Sequence, residues 1–243
     1  MVRFFVGPSD LENDTYILKG ENASHAKVLR LKAGEEVLLC DGEAVEALCR
    51  ITATDGGEFS LQVLEKRPSY SEASVAVSVY MALPKADKLE HVIQKATELG
   101  AAEIVTFPTA RCISRPDDKS LKKKLERWQK IAASAAEQCG RGRIPQVIVL
   151  PDYASALKRA AQADVAIVFY ENERANTLQQ TLKKTPYHTI SLLSGPEGGF
   201  EESEITKAMD AGLQVCTLGS RILRCETAPL CALSAVMYDS GEF

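Results

Sequence analysis

Two apolar runs that each end in a glycine loop constrain this chain more than any other feature. The stretch from His188 to Ala228 reads HTISLLSGPEGGFEESEITKAMDAGLQVCTLGSRILRCETA. Ile190 to Leu193 is apolar and leads into Gly195-Pro196-Glu197-Gly198-Gly199. Leu213 to Leu218 is apolar and leads into Gly219 and the segment from Ser220 to Ala228. A helical pattern from Glu201 to Ala211 lies between them, and another carries the chain to its end. Strand, glycine turn and helix, repeated, is the pattern of an open α/β sheet. In such sheets ligands bind outside the carboxyl ends of the strands. The spacing predicts a small-molecule site where the two loops meet.

The same rhythm extends upstream to Ser74. Strands are predicted over Val75–Leu83, Glu103–Phe107, Gln146–Leu150 and Asp164–Tyr170. Helices are predicted from Asp87 to Leu99 with Gly100 as the C-cap, and over Lys119–Gln138, Asp152–Ala161 and Ala175–Lys184. Strands alternating with helices imply βαβ units and a mostly parallel sheet. Before residue 66 the pattern is all-β. Short strands are predicted at Arg3–Val6, Tyr16–Lys19, Glu36–Cys40, Ala44–Thr52 and Glu58–Leu64, with a short helix from Asn22 to Leu31. Asp41-Gly42 and Gly56-Gly57 are turn dipeptides. A small barrel follows from such spacing. The polar, proline-containing Arg67–Glu72 is expected as a linker. The expected organisation is a small β domain over 1–68 and an α/β domain over 74–243.

Composition narrows the function classes. The chain has 243 residues, 45% hydrophobic and 26% charged, ordinary for a globular protein with a sizeable core. No apolar run approaches the roughly 20 residues of a membrane helix. The N-terminus MVRFFVGPSD lacks a signal-peptide core, and the seven cysteines form no C-x-x-C pair. Neither a disulfide framework nor a metal site is expected, and a reducing cytoplasm is the expected home. A formal net charge of −4 excludes a wholly basic coat but not local basic patches.

The first loop has neither the G-x-G-x-x-G nor the P-loop spacing. Pro196 removes one backbone N–H, and Glu197 puts a negative charge where an anion would sit. A neutral or cationic ligand suits it better than phosphate. The alternative is a strand-to-helix turn whose glycines only relieve strain. In the second loop Arg221 and Arg224 bracket an apolar pair just before a helix, where they oppose the helix dipole. Function overriding local preference explains that choice; the alternative is a surface pair between one arginine and Glu226.

These residues resemble the 16S rRNA uridine-N3 methyltransferases of the SPOUT class. The resemblance rests on Gly195-Pro196-Glu197-Gly198-Gly199 and on Leu218-Gly219-Ser220-Arg221-Ile222-Leu223-Arg224-Cys225-Glu226-Thr227-Ala228. It extends to Leu83-Pro84-Lys85, to Gln94–Gly100, and to Ala136-Glu137-Gln138-Cys139-Gly140-Arg141 with Pro145. Arg3-Phe4-Phe5 and His25–Arg30 resemble that family's PUA-like RNA-binding domain. The resemblance therefore covers nearly the whole chain in order. It implies S-adenosylmethionine as cofactor, a C-terminal trefoil knot and a homodimer. It places Leu193, Ser194, Gly195, Pro196, Glu197, Gly198 and Gly199 around the cofactor, with Leu218, Gly219, Ser220, Ile222 and Leu223. Tyr170 and Glu171 are placed at its adenosine end. Cys225 stands where the family more often has threonine or another small polar residue.

Uridine N3 must lose its proton before methylation, leaving charge shared with O2 and O4. Arg224, always charged, is the expected catalytic donor to that charge. Glu226 and Glu197 are available carboxylates, and the base stays unassigned. A paired uridine hides N3, so the target must be unpaired or flipped out. The expected RNA-binding residues are Arg3, His25, Lys27, Arg30, Lys85, Glu137, Gln138, Arg141 and Arg143. His25 is equally consistent with a structural histidine, and the lysines around Trp128 with a solvated helix face. The expected partner is 16S rRNA within the small ribosomal subunit, with no membrane. Two other readings fit the residues: ribose 2′-O or other base methylation by the same core, and a non-catalytic RNA-binding assembly factor.

Overall fold

The computed structural model describes residues 1–43 and 45–243. Ala44, the first residue of the strand expected over Ala44–Thr52, lies outside the described residues. The chain forms two compact units. One comprises Met1–Glu72 with Ala136–Ile144, the other Ala73–Ala135 with Pro145–Phe243.

The first unit contains β1 (Val2–Phe5), β2 (Thr15–Leu18), β3 (Glu36–Cys40), β4 (Val45–Asp55) and β5 (Glu58–Pro68). They form one sheet in the order β1-β3-β4-β5-β2. Phe4, Leu18, Val37, Leu39, Ile51 and Leu61 fill its core. Gly56 and Gly57, with φ of +55° and +89°, make the two-residue turn between β4 and β5. A turn needing two positive φ angles selects glycine at both positions. Register shifts at Leu48/Cys49 and Ile51/Ala53 bend this long hairpin. The helix α1 (Gly20–Val28) stops short of the expected Leu31. Arg30 turns left-handed at φ +57°, and the Leu31 N–H bonds back to the Ala26 carbonyl.

Residues 67 and 68, expected in a linker, are the end of β5. Arg67 pairs opposite Glu46, and its guanidinium reaches the buried Glu46 carboxylate at 2.9 Å. That ion pair keeps a polar, proline-containing segment in the ladder. Residues 136–144 belong to the same unit through Glu72. Its carboxylate accepts from Arg141 Nη2 at 2.7 Å and from the N–H groups of Gly142 and Arg143, each at 3.0 Å.

The second unit has six strands: β6 (Ala76–Ala82), β7 (Glu103–Phe107), β8 (Gln146–Val149), β9 (Val165–Phe169), β10 (Thr189–Ser194) and β11 (Gln214–Cys216). All pair in parallel, in the order β11-β9-β10-β6-β7-β8. Every residue of β9 is buried, as expected for a parallel sheet covered on both faces. Each fully buried Val, Ile or Phe there stabilises the fold by about 1.5–3 kcal/mol. The helices are α2 (Lys88–Glu98), α3 (Asp118–Cys139, whose residues from Ala136 on belong to the first unit), α4 (Tyr153–Ala160), α5 (Leu178–Leu182), α6 (Glu202–Asp210) and α7 (Thr227–Asp239). Helix α5 begins later than the expected Ala175. Glu173 takes the N–H groups of residues 174–176 in a turn, and Thr177 caps the helix by accepting from the Gln180 N–H. A column of rings, Tyr80, Phe107, Tyr153 and Phe200, packs with centroids 5.6–6.5 Å apart.

From β6 the chain moves through β7 to β8 on one side, then places β9, β10 and β11 on the other. That reversal opens a crevice at the carboxyl ends of the central strands.

Candidate functional site

A cavity of about 460 Å³ lies outside the carboxyl ends of β9, β10 and β11, a size typical of small-molecule sites. Its walls are residues 169–171 with Arg174 after β9, residues 194–200 after β10, and residues 217–225 after β11. Ala228 of α7 and Lys88 of α2 complete it.

The glycine loop after β10 is a tight turn in which the Pro196 carbonyl accepts the Gly199 N–H at 2.9 Å. Gly199 has φ +65°, and a Cβ on it would meet Glu171 Oε1 at 2.6 Å. A Cβ on Gly195 would lie 3.1 Å from the Gly199 carbonyl carbon. These glycines satisfy backbone conformation and close packing, and they also leave the wall bare of side chains. The loop is braced from outside. Arg111 Nη1 donates to the Gly198 carbonyl at 2.8 Å. The buried Glu204 carboxylate accepts from the N–H groups of Ala110 and Glu201, both at 2.9 Å.

The charges of the cavity meet at Lys88. Its Nζ lies 3.2 Å from Glu197 Oε1 and 3.2 Å from Glu226 Oε2. Glu197 Oε1 also accepts the Lys85 N–H at 3.0 Å, and the Cys225 thiol donates to Glu226 Oε2 at 3.2 Å. Burial pushes the Glu197 carboxyl up. The backbone N–H groups of Glu197 and Lys85 and the Lys88 ammonium outweigh burial and hold it below the usual carboxylate range. Glu226 is likewise held down, burial being outweighed by its own N–H, the Cys225 thiol and Lys88. Burial lowers the Lys88 ammonium, but the two carboxylates more than offset that and raise it above its ordinary value. Burial, reinforced by Glu226 and Glu197, pushes the Cys225 thiol up to about 11. Holding both carboxyls below their usual range lowers their proton affinity and makes them weaker general bases.

The structure brings together Tyr170, Ser194, Gly195, Pro196, Glu197, Gly198 and Gly199 with Leu218, Gly219, Ser220, Ile222, Leu223 and Arg224 around this one cavity. Leu193 is the exception. It is fully buried within β10, paired between Tyr80 of β6 and Val168 of β9. Alternate strand residues face opposite ways, so motif adjacency placed it one residue too early. Arg221 and Arg224 are exposed and precede α7, whose first N–H groups, those of Thr227 and Ala228, bond the Arg224 carbonyl. Among the described residues neither arginine makes an ion pair. Glu226 pairs with Lys88, which overturns the alternative of an Arg–Glu226 surface pair. Lys88, Phe169, Arg174, Phe200 and Thr217 also line the cavity without having been expected there. None of them carries a local signal of its own: Lys88, for example, opens α2 as an ordinary first-turn residue.

Most expected RNA-contacting residues fall in the first unit. Lys27, Arg30, Gln138 and Arg143 are exposed, as is Lys85 of the second unit. Arg143 donates twice to the Glu43 carbonyl, at 3.1 and 3.0 Å. Arg141 is a correction: it is 3% exposed and bound to Glu72, so it organises its loop instead of facing outward. Next to it, Gly142 abuts the Ser69 side chain, with no room for a Cβ. Arg3 is largely buried against Glu46 at 3.0 Å. His25 Nδ1 lies 3.2 Å from Glu137 Oε1, with its ring edge-on to Phe4, so both residues have structural partners.

Comparison with known proteins agrees with this geometry. An RNA methyltransferase domain family matches residues 71–237, and an RNA methyltransferase PUA domain family matches residues 18–64. The chain is 36% identical over 235 residues to the ribosomal RNA small subunit methyltransferase E of Bacillus subtilis, covering 94% of this chain and 92% of that one. It matches the crystal structure of a ribosomal RNA small subunit methyltransferase E from Neisseria gonorrhoeae bound to S-adenosyl methionine. That match has a TM-score of 0.85 and 31% identity over 98% of this chain and 97% of the other. A Legionella pneumophila methyltransferase solved with the same cofactor matches with a TM-score of 0.84 and 28% identity, over 98% and 97% of the two chains. With a domain family matched over most of its length and a full-length relative at this identity, the chain belongs to the RNA methyltransferase family, among the ribosomal RNA small subunit methyltransferases E.

Proposed function

We propose that this protein methylates N3 of a uridine in 16S rRNA, with S-adenosylmethionine as the methyl donor. The observation that carries the proposal is the single cavity enclosed by the two glycine loops, with Arg224 on its wall. Its chemistry suits that donor. The backbone is bare at Gly195, Gly198 and Gly219, and Pro196 removes one of the N–H groups that a phosphate would use. The names of the related small-subunit rRNA methyltransferases, one of them solved with this cofactor, support the same reading.

When bound, S-adenosylmethionine supplies an electrophilic methyl on a sulfonium sulfur. The residues of the chain handle the rest. Residues 194–200 and 217–223 would hold the donor and fix where its methyl group is offered. Arg224 donates to the uracil oxygens that carry the charge once N3 has lost its proton. Glu197 and Glu226 are tied to Lys88, and the Cys225 thiol is pushed up to about 11, so none of them is assigned as the base. The N3 proton passes to solvent in this reading, and the rate comes from positioning and from Arg224.

The exposed Lys27, Arg30, Gln138 and Arg143 are read as RNA contacts of the PUA-like unit, with Lys85 beside the cofactor cavity. The domain boundaries 1–68 and 74–243, the trefoil knot and a homodimer belong to the same proposal. Helix α7 supports the homodimer. It packs on β10, β6, α2 and α5, and it is apolar nearly all round, with Cys231 and Tyr238 exposed. A helix of that kind calls for cover on both sides. A cytoplasmic location follows from the ribosomal substrate. Mass spectrometry of small-subunit rRNA from cells lacking this protein tests the proposal. Loss of one 3-methyluridine is expected, and an unchanged set of modified nucleosides would refute it.

A further inference from the structure

The two glycine loops follow β10 and β11, and these strands are not neighbours. Strand β9 lies between them. The ladders through β9 fix the spacing of the two strands, but beyond the strand ends, among the described residues, no backbone hydrogen bond joins one loop to the other.

One side chain reaches both walls. Lys88 Nζ is 3.2 Å from Glu197, in the loop after β10, and 3.2 Å from Glu226, in the segment after β11. It also approaches Cys225 Sγ at 3.6 Å. The Lys88, Glu197 and Glu226 side chains are all less than a third exposed. The turn that delivers Lys88 is itself constrained. Ala86 sits at φ +52°, a left-handed conformation that costs a residue with a Cβ, and the next-door Lys85 N–H bonds Glu197 at 3.0 Å. Strain held in a turn that meets a cavity wall at two points indicates a turn kept for its placement. Without the ammonium, Glu197 and Glu226 would face each other as like charges, and like charges at such range repel.

We propose that Lys88 is a positioning residue that clamps the two walls of the cofactor cavity. Its ammonium joins Glu197 to Glu226 and holds the glycine loops at the separation the cofactor requires. This rests on the reading of the cavity as an S-adenosylmethionine site. The clamp acts on binding and not on the methyl-transfer step.

The test compares wild type, Lys88→Met, Lys88→Arg and Glu226→Gln by isothermal titration with S-adenosylmethionine, by melting temperature, and by kinetics on small-subunit RNA. The expected result for Lys88→Met is a Kd and a KM for S-adenosylmethionine raised about tenfold or more, with kcat at saturation changed by less than about threefold. Lys88→Arg, which keeps the charge, recovers most of the affinity. Glu226→Gln, which cuts one arm and keeps the other, gives an intermediate loss, and it serves as the test if Lys88→Met does not fold. A Kd for Lys88→Met or Glu226→Gln within about twofold of wild type overturns the clamp. So does a Lys88→Arg variant as weak as Lys88→Met. Absence of S-adenosylmethionine binding by the wild type overturns the site reading itself, and the clamp with it.

Discussion

The carboxylate of Glu171 lies against the bare α-carbon of Gly199, where a Cβ would stand 2.6 Å from Oε1. Residues from the ends of two adjacent strands, β9 and β10, thus meet at the cavity wall with no room for a side chain. Gly199→Ala meets two penalties: a left-handed φ of +65° and displacement of Glu171. The backbone term alone costs about 1 kcal/mol, or a melting-temperature drop of about 2–4 °C at this chain length. Affinity for S-adenosylmethionine should fall as well, measured by titration calorimetry. A Gly199→Ala variant that binds the cofactor like wild type would show that this contact does not shape the site.

Arg224 separates binding from chemistry. It is exposed on the cavity wall and, among the described residues, is not committed to any ion pair. Arg224→Ala is expected to keep cofactor affinity and to lower kcat by about 10²–10³-fold, the usual loss when one donor to a developing oxyanion is removed. Single-turnover methylation of small-subunit RNA measures this. Equal turnover would remove Arg224 from the mechanism.

Cys225 should be chemically quiet despite its place at the site. Burial and two nearby carboxylates push its thiol up to about 11, so the reactive thiolate is scarce at pH 8 and grows only as pH rises towards that value. In the native protein iodoacetamide at pH 8 should leave Cys225 unmodified, whereas in denaturant it should react. Peptide mapping by mass spectrometry reads both. Rapid native labelling of Cys225 would contradict the buried, carboxylate-flanked environment.

Two neighbouring arginines should behave differently. Arg141 is buried against Glu72, and Arg141→Met strands a carboxylate with restricted solvent access, a loss of about 3–5 kcal/mol for a fully buried pair. The change should appear as a lowered melting temperature. Arg143 is exposed, and Arg143→Ala should leave stability nearly intact. If Arg143 contacts a phosphate, its loss weakens RNA binding at every sequence and reduces the salt slope by about 1. RNA affinity measured across salt concentrations distinguishes the two roles.

Much of the site was legible because glycine has few substitutes where φ is positive and backbones approach closely. The two glycine loops therefore stood out, and the cavity forms where they meet. The parallel sheet was legible from apolar runs such as Val165–Phe169 alternating with helical patterns. The strand order was not, because nothing local in the sequence states that β9 lies between β10 and β11. Lys88 was missed for the same reason: its partners Glu197 and Glu226 are more than a hundred residues away, and a lysine opening a helix is unremarked by itself. Arg141 is expected as an RNA contact in the sequence. Glu72, in a segment taken for a linker, claims it instead. Pro68 read as a break, yet it ends β5 opposite Val45.

The central claim is methyl transfer to uridine N3, and one measurement addresses it directly. The purified protein is incubated with isotopically labelled S-adenosylmethionine and small ribosomal subunits, or with the deproteinised RNA, and the nucleosides are resolved by mass spectrometry. The expected result is label in 3-methyluridine at a single position. Label in a ribose 2′-O-methyl group or in another base, or no transfer to either substrate, would contradict it.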